Sequence, residues 1–449
     1  MKITFNGAAK MVTGSCHLIE TDTVKCLIDC GMFQGSVREK QLNFEPFHFD
    51  PATLDFVILT HTHIDHSGRL PLLIQQGFKG KIYMTPPTMD LVEILLLDSA
   101  SIQEQDYQKD PDLVEILYSE EDVYNTLQYR YPLEYGQWVT EGDLEFQLRD
   151  AGHLLGSAYV VIRHKHKTLV FSGDLGHGAG LLQKPPMPLE EADYLVLEST
   201  YGNRLHQHID QRLENLYNEV MATVAEKGTV IIPAFSVGRT QEILHALKTF
   251  AQKQGRLREF EKIPVYMDSP LALKATDIYL EYQSYLRDSV TRESIQFKNL
   301  RQAKTMKESI ALNFNREPKI LVSASGMCDA GRILNHLPAY LPLETTKMLF
   351  VGYQSVESLG RKIQQQQSPV HIGRESVVNR AKIVTVEGFS GHGDRNDLFE
   401  WTQSLNKPPL RTLLIHGETD SLEDFKNFLE KNRHQVTIPE YQETITLDF

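Results

Sequence analysis

Short apolar runs separated by Gly and Asp predict a β-rich first half of the chain. At 54–60 the apolar residues are almost continuous, which is typical of a strand buried on both faces, and a polar cluster at 61–68 follows directly. Two sheet-rich stretches with helical spacing between them indicate a sandwich of sheets covered by helices. The predicted strands are 2–7, 17–21, 24–28, 54–60, 136–147, 158–164, 168–172 and 194–198, and the predicted helices are 70–76, 89–105 and 120–128.

The pattern changes after about residue 200, where longer helical segments alternate with single apolar runs. This alternation is typical of an α/β domain with a parallel sheet. From about 382 the short strands return, so we expect one domain (1–204 and 386–449) interrupted by a second at 205–385. The predicted helices here are 210–227, 240–254 and 421–431, and the predicted strands are 229–233, 264–267, 319–323, 347–352, 382–387 and 411–416.

Length and composition agree with a two-domain globular protein. The chain has 449 residues, more than one hydrophobic core usually supports, with 41% hydrophobic and 23% charged residues. It has no run of eighteen apolar residues and no basic start followed by an apolar stretch, so we predict a cytoplasmic protein. The net charge of −13 argues against generic nucleic-acid binding, since Lys and Arg supply most of that affinity.

The polar cluster His61-Thr62-His63-Ile64-Asp65-His66 offers four nitrogen and oxygen donors within six residues. Residues two apart on an extended segment point the same way, so His61 and His63 can meet one cation. The turn beyond them directs Asp65 and His66 toward a second position. A solvated polar loop is the alternative.

Further donors follow other predicted strands and are flanked by Gly, which lets the backbone approach closely. They are His153 in Asp150-Ala151-Gly152-His153, Asp174 in Ser172-Gly173-Asp174, and His416 in Ile415-His416-Gly417. With the cluster they make seven donors. That number suits two adjacent divalent ions that each keep an open position for water.

These motifs resemble those of the metallo-β-lactamase superfamily, whose fold is an αββα sandwich. The resemblance implies that His61, His63 and His153 bind one zinc ion and that Asp65, His66 and His416 bind a second. It implies that Asp174 bridges the two ions and that Asp29 braces a ligating histidine from behind. The same ligands would accept manganese or iron.

The segment between the two parts of the first domain resembles the β-CASP branch, whose members cut nucleic acids. Glu198 and His392 match the acidic residue and the histidine that mark this branch. Three further stretches also match: 232–242, 324–327, and 352–354 continuing to 359–361. The stretch 371–382 matches only loosely the apolar strand and short acidic turn usual there. The resemblance thus implies an inserted α/β domain of parallel-sheet type.

The implied activity is zinc-dependent hydrolysis of single-stranded RNA by a metal-activated hydroxide. The implied catalytic residues are Asp65, His392 and Glu198, with His392 giving a proton to the leaving 3′ oxygen. An endonucleolytic mode is favoured and a 5′-exonucleolytic mode stays open. The candidates for phosphate contact are Arg239, Ser325, Arg332, Arg361 and Arg395.

Charge distribution answers the objection raised by overall acidity. Residues 205–385 hold 24 Lys and Arg against 18 Asp and Glu, hence +6, whereas the rest of the chain holds 22 against 41, hence −19. A basic insert can face a phosphate backbone although the whole chain is acidic. Ordinary fluctuation in surface charge is the alternative.

Other functions remain open at this point. A dinuclear hydrolase of a small ester, thioester or lactone would have no use for an insert of about 180 residues. An inactive RNA-processing scaffold would be expected to lack ligands, and all seven donors are present. Ribonuclease J usually carries a further C-terminal domain, while 33 residues follow His416 here, so a short bacterial-type relative of the cleavage-and-polyadenylation endonuclease is favoured. Single-stranded DNA as a partner and a homodimer also stay open.

Overall fold

The computed structural model describes residues 1–109, 115–206, 208–352, 354–355 and 357–449, with Lys109 described by its backbone only. Tyr353, which belongs to one of the quoted motifs, lies outside these residues. The chain divides into two compact units, Met1–Leu205 with His392–Phe449, and His206–Gly391. Helices and strands are numbered in chain order across both units.

The first unit contains fourteen strands and seven α-helices among the described residues. Its strands are β1 (Lys2–Phe5), β2 (His17–Glu20), β3 (Lys25–Ile28), β4 (Phe56–Ile58), β5 (Lys81–Met84), β6 (Arg130–Pro132), β7 (Val139–Glu141), β8 (Leu144–Asp150), β9 (Ala158–His164), β10 (Lys167–Phe171), β11 (Tyr194–Glu198), β20 (Arg411–Ile415), β21 (Val436–Thr437) and β22 (Thr444–Thr446). Its helices are α1 (Val37–Gln41), α2 (Ile64–Ser67), α3 (Leu70–Gln75), α4 (Pro86–Lys109), α5 (Glu120–Leu127), α14 (Arg395–Thr402) and α15 (Thr419–Lys431).

These strands form two seven-stranded sheets that pack face to face. One sheet has the order β22-β1-β2-β3-β4-β5-β6 and the other β21-β20-β11-β10-β9-β8-β7. A buried cluster between them takes side chains from both sheets, among them Phe5, Phe56, Phe146 and Phe171. Separate clusters on the outer faces join the first sheet to α3, α4 and α5 and the second to α14 and α15. The unit is therefore an αββα sandwich, as the resemblance implied.

The second unit is built on a parallel sheet. Its strands are β12 (Thr229–Pro233), β13 (Val265–Asp268), β14 (Leu300–Gln302), β15 (Lys319–Ser323), β16 (Thr346–Phe350), β17 (Val370–Ile372), β18 (Glu375–Val377) and β19 (Lys382–Thr385). Its helices are α6 (Ile209–Ala225), α7 (Arg239–Lys253), α8 (Leu257–Phe260), α9 (Pro270–Glu281), α10 (Arg292–Ile295), α11 (Met306–Leu312), α12 (Ile333–Tyr340) and α13 (Leu359–Gln364).

Six of these strands lie side by side in the order β14-β13-β15-β12-β16-β19, all parallel. Helices α11, α12 and α13 pack on one face through Leu312, Leu337 and Ile363. Tyr266 of β13 points to this face, so its neighbour Met267 points to the other face of the sheet. Thr276 of α9 contacts Met267, which places α9 on that opposite face. The predicted parallel α/β insert is confirmed.

Helices α9, α12 and α14 were not predicted, and two stretches differ from the expectation stated for them. The strand predicted at 136–147 is a hairpin of β7 and β8, because Gly142 adopts a positive φ of 58° and turns the chain. The loosely matching stretch 371–382 overlaps the β17–β18 hairpin of residues 370–377, whose turn Gly373-Arg374 lacks the acidic residues usual in the family. Among the described residues no helix combines the length and apolar character needed to cross a membrane.

Candidate metal centre

The candidate ligands lie where strands of the sandwich end. Strands β10, β11 and β20 run parallel, and β8 shares their direction because β9 is antiparallel to both β8 and β10. Their carboxyl ends therefore meet at one edge of the sheet. Three donors follow these ends. The other four follow β4 in the other sheet, two of them in the segment before α2 and two in α2 itself. The donors after the three strand ends are His153, Asp174 and His416.

A first group of donors consists of His61, His63, His153 and Asp174, whose ligand atoms all lie within 4.8 Å of one another. His63 Nδ1 is 3.0 Å from His61 Nε2 and 3.2 Å from His153 Nε2. Asp174 Oδ2 faces the same point, at 3.4 Å from His61 Nε2. Three imidazoles and one carboxylate oxygen thus converge on one position.

Asp65, His66 and His416 form a second group. His66 Nε2 is 3.3 Å from His416 Nε2, and Asp65 Oδ2 is 3.5 Å from the same His416 atom. The other oxygen of Asp174, Oδ1, lies 3.3 Å from His66 Nε2. One buried carboxylate therefore faces both groups, with a different oxygen toward each.

The chemistry of these donors fits divalent metal ions. Burial lowers the pKa of His63 to about 4 and that of His61 well below its usual value, so both rings are neutral and offer lone pairs. Asp174 Oδ1 is buried and accepts no hydrogen bond from any described residue, although buried polar atoms are normally bonded. Nitrogen and oxygen lone pairs that converge in this way are the usual ligand set of such ions.

Residues behind the ligands hold the imidazoles by their outer nitrogens. Asp29 Oδ2 lies 2.7 Å from His66 Nδ1, while its Oδ1 accepts the Thr60 backbone N–H at 2.8 Å. The hydroxyl of Thr60 is 3.1 Å from His61 Nδ1, and that of Thr200 is 3.0 Å from His416 Nδ1. These contacts direct Nε2 of each ring toward the ligand groups. Neither threonine was predicted from the sequence, because a hydroxyl beside a ligand carries no spacing signal of its own.

Glu198 and His392, which lie 194 positions apart, are brought together beside the first group. His392 Nδ1 is 3.0 Å from Glu198 Oε1, and its Nε2 is 3.8 Å from Asp174 Oδ2. Glu198 is fully buried and also accepts the Leu175 backbone N–H at 2.7 Å. Burial lowers the pKa of His392, but the carboxylates of Glu198 and Asp174 outweigh it and raise the pKa to about 9. The buried carboxylate of Glu198 thus holds the protonated ring of His392 in one orientation.

The residues predicted to contact phosphate have varied surroundings. Arg395 begins α14 and its guanidinium lies 4.7 Å from the centre of the Phe428 ring in the first unit. The other four lie in the second unit. Arg239 pairs with Glu242, Arg361 bonds Gln364 at 3.1 Å, and the Ser325 hydroxyl accepts the Ala330 N–H at 3.3 Å.

Arg332 makes several contacts within the second unit. Its guanidinium pairs with the buried carboxylate of Asp268 at 2.7 Å and donates to the carbonyl oxygens of Ala303 and Lys304, at 2.7 and 3.0 Å. These bonds join α12 to the segment before α11. A phosphate contact by any of the five residues stays a prediction.

Three family models match the chain. They are the metallo-beta-lactamase superfamily over residues 10–233, the Beta-Casp domain over 240–363, and the Zn-dependent metallo-hydrolase RNA specificity domain over 377–439. The order of the matches follows the division into an interrupted unit and an insert.

Similar proteins cover nearly the whole chain. Ribonuclease TTHA0252 of Thermus thermophilus is 36% identical over 99% of this chain and 100% of its own length. An RNase J-like protein and a transcription termination factor FttA of Methanocaldococcus jannaschii are 31% and 30% identical, over 93% and 96% of this chain and 92% and 69% of their own lengths.

A solved structure shares the fold. It is a protein of unknown function from Enterococcus faecalis V583, with a TM-score of 0.56 and 14% identity over 99% of both chains. The sandwich, the insert and the relatives agree, and the chain belongs to the β-CASP family of the metallo-β-lactamase superfamily.

Proposed function

We propose that this protein is a ribonuclease that hydrolyses phosphodiester bonds of single-stranded RNA with the help of two zinc ions. The observation that carries the proposal is that Asp174 faces two separate groups of ligand atoms while the His392–Glu198 pair lies beside it. Similar proteins named ribonuclease TTHA0252 and RNase J-like protein support RNA as the substrate. Cytoplasmic location and an endonucleolytic mode remain part of the proposal.

The two ions would be held by the two groups of donors. His61, His63 and His153 would hold one ion, and Asp65, His66 and His416 the other, with Asp174 shared. When bound, the ions supply Lewis acidity for the phosphate oxygens and lower the pKa of a water molecule toward neutrality. Asp29, Thr60 and Thr200 keep the imidazoles in place from behind.

His392 would hold the proton that the leaving 3′ oxygen needs. Glu198 binds Nδ1 of the ring, so that Nε2 is directed toward Asp174 and the ligand groups. A histidine whose ring is oriented by a buried carboxylate is already positioned to donate its proton. Arg395, three positions further on, is the phosphate-contact candidate within the same unit.

The test combines metal analysis with cleavage of end-labelled single-stranded RNA. We expect wild type to contain two equivalents of metal and to cut, Asp65→Ala to lose metal and activity, and His392→Ala to keep metal but cut slowly. The matched controls are Asp22→Ala and His371→Ala, both at exposed positions, which should behave as wild type.

Two outcomes would overturn the proposal. Fully metallated wild type that leaves RNA and single-stranded DNA intact but turns over a thioester would be a small-ester hydrolase. Metallated protein that binds RNA and cuts nothing would be an inactive scaffold. The length and end chemistry of the products separate internal cleavage from degradation from the 5′ end.

A further inference from the structure

Helix α11 in the second unit exposes an apolar stripe. Met306, Ile310 and Phe314 are spaced by four residues, which places them on one helical face, and they are 50%, 43% and 80% exposed. The opposite face buries Ser309 and Leu312 in the unit. Phe314 comes directly after the C-cap residue Asn313, whose backbone is still helical, so its ring continues the stripe into solvent.

Cations flank this stripe. Lys304 precedes the N-cap of α11, Lys307 lies three positions before Ile310, and Arg316 lies two positions after Phe314; all three are exposed. Residues 298–317 hold five Lys and Arg against two Glu, hence +3. One of these acids, Glu308, is turned toward the start of the helix, where it accepts the Thr305 N–H at 2.8 Å. The other, Glu317, is exposed beside Arg316, so the surface around the exposed aromatic ring carries a net positive charge.

Neighbouring elements hold the stripe in place, and the carboxylate that meets α11 from β13, that of Asp268, is buried, accepts the Ser309 hydroxyl and pairs with Arg332. Asn313 donates to the carbonyl of Asn335 in α12 at 2.8 Å, and Asn335 donates to Met306 Sδ at 3.5 Å. Arg316 donates to the carbonyl of Ala339 at 3.4 Å and lies over the Tyr340 ring. Helix α12 contains no Asp or Glu. A ligand would meet a net positive surface with an aromatic ring already exposed.

We propose that this surface, the α11 strip formed by Lys304, Met306, Lys307, Ile310, Phe314 and Arg316, docks single-stranded RNA. Phe314 stacks on a base, as exposed aromatic residues do in proteins that bind single strands without sequence preference, and the cations contact the adjacent phosphates. Protein–protein interfaces are depleted in Lys but enriched in Met, Phe and Arg, so the choice of RNA over a protein partner rests on the charge complementarity between the three cations and a phosphate backbone. The inference deepens the proposed ribonuclease function and rests on it for the choice of nucleic acid.

The test measures RNA affinity of the metallated full chain by fluorescence anisotropy with a labelled, unstructured RNA of about 20 nucleotides. All variants carry His392→Asn so that the RNA stays intact, which a gel confirms. We expect Phe314→Leu to weaken binding about ten-fold while Phe314→Tyr binds as the parent does, because only the second keeps a ring for stacking.

Salt dependence tests the cations. The slope of log affinity against log salt is negative, and Lys304→Ala with Lys307→Ala should make it less steep by about 1.4, that is about 0.7 for each lost phosphate contact on a single strand. The matched control is Lys262→Ala with Lys274→Ala, which removes the same charge from exposed positions of the same unit. Lys274 lies on α9, on the opposite face of the sheet. The salt slope of this control variant should equal that of the parent.

The outcomes separate this inference from the proposed function. If Phe314→Leu binds as tightly as the parent, or both lysine pairs give the same slope, the α11 strip does not bind RNA even where wild type cuts it. If Phe314→Leu changes the sedimentation coefficient and leaves RNA binding unaltered, the strip contacts protein and the inference is wrong. Weakened binding in a protein that never cuts RNA would support the strip and overturn the nuclease.

Discussion

At the scale of single residues, the central feature is that three of the candidate ligand histidines, His61, His66 and His416, are held from behind as well as facing the site. His66 meets Asp174 through Nε2 and Asp29 through Nδ1, at 3.3 and 2.7 Å. His416 is likewise held by Thr200 from behind. Such outer contacts fix the tautomer and the ring orientation. The residues behind the ligands should therefore matter for metal affinity although they touch no metal.

Asp29→Asn tests this directly. The amide cannot supply the negative charge that the carboxylate offers to His66 Nδ1, so we expect a 10- to 100-fold weaker affinity for metal. Zinc affinity measured against a competing chelator gives the answer. Asp22→Asn, with a side chain that is 88% exposed, is the control and should leave affinity unchanged. Equal affinities of the two variants would mean that Asp29 only shapes its turn, where its φ is 61°.

The Glu198–His392 pair makes a second prediction at this scale. If Glu198 acts only by orienting His392, Glu198→Gln and His392→Asn should each slow RNA cleavage by about 10²–10⁴-fold, and the double variant should be no slower than the worse single one. Single-turnover rates of protein with verified metal content measure this. Additive losses would show that Glu198 has a separate role, for example through its bond to the Leu175 N–H.

At the scale of elements, helix starts and strand ends set the site. Helix α14 begins at Arg395, three positions after His392, with Asp394 as N-cap and Asp397 completing a capping box. The Asp394 side chain accepts the N–H groups of Asn396 and Asp397 at 2.8 and 3.0 Å, and Asp397 accepts the Asp394 N–H at 3.0 Å. This box fixes the backbone just after His392, because the cap defines how the chain enters the helix. It therefore helps to position the His392 side chain.

The second carboxyl group of this box predicts a pH effect. Burial, and next the nearby Asp394 carboxylate, raise the pKa of Asp397 to about 6. A carboxyl group with a raised folded-state pKa contributes stability at low pH, and this contribution is lost as pH rises from about 4 to about 6. Asp397→Asn, which keeps an acceptor, should therefore gain stability relative to wild type as the pH rises from about 4 to about 6, and the difference should level off above that range. Urea unfolding of both proteins at each pH measures the difference, and a difference that shrinks or stays constant between about pH 4 and about pH 6 would contradict the assignment.

At the scale of the whole molecule, the candidate metal ligands all belong to the first unit, whereas the basic excess belongs to the insert. Metal binding should therefore stabilise the sandwich by mass action where its strand ends carry ligands. The parallel sheet of the second unit contains none of these groups. The candidate metal ligands and the excess of basic residues therefore lie in different units.

Metal removal should reveal this division. After treatment with a chelator we expect faster amide hydrogen exchange at the carboxyl ends of β8, β10 and β20, because the convergent donors lose the cations that hold them together. Exchange within β12 and β15 should change little. Mass-spectrometric exchange of the metallated and the chelated protein measures both, and restoring zinc is the control. Equal acceleration in both units would show that the metal controls global unfolding instead.

The sequence by itself determined most elements and the nature of the site, because apolar periodicity and Gly-flanked donors at strand ends are local signals. It predicted β4 with its histidine cluster, the parallel insert, and all seven donors. It missed the β7–β8 turn, where a single Gly decides the break, and it gave Arg332 a phosphate role without its buried partner Asp268. It also missed Thr60 and Thr200, whose hydroxyls gain meaning only beside a ring.

Only the tertiary structure decided which donors share a position. His66 and His416 are 350 positions apart, yet their Nε2 atoms lie 3.3 Å from each other. Parallel pairing of β10, β11 and β20 brings the ends of distant strands to one edge, and the packing of two sheets brings the β4 segment to the same place. Such pairing depends on contacts across the whole chain, which no local pattern specifies. The donors can therefore be identified from local sequence patterns, whereas their convergence on shared positions depends on the tertiary structure.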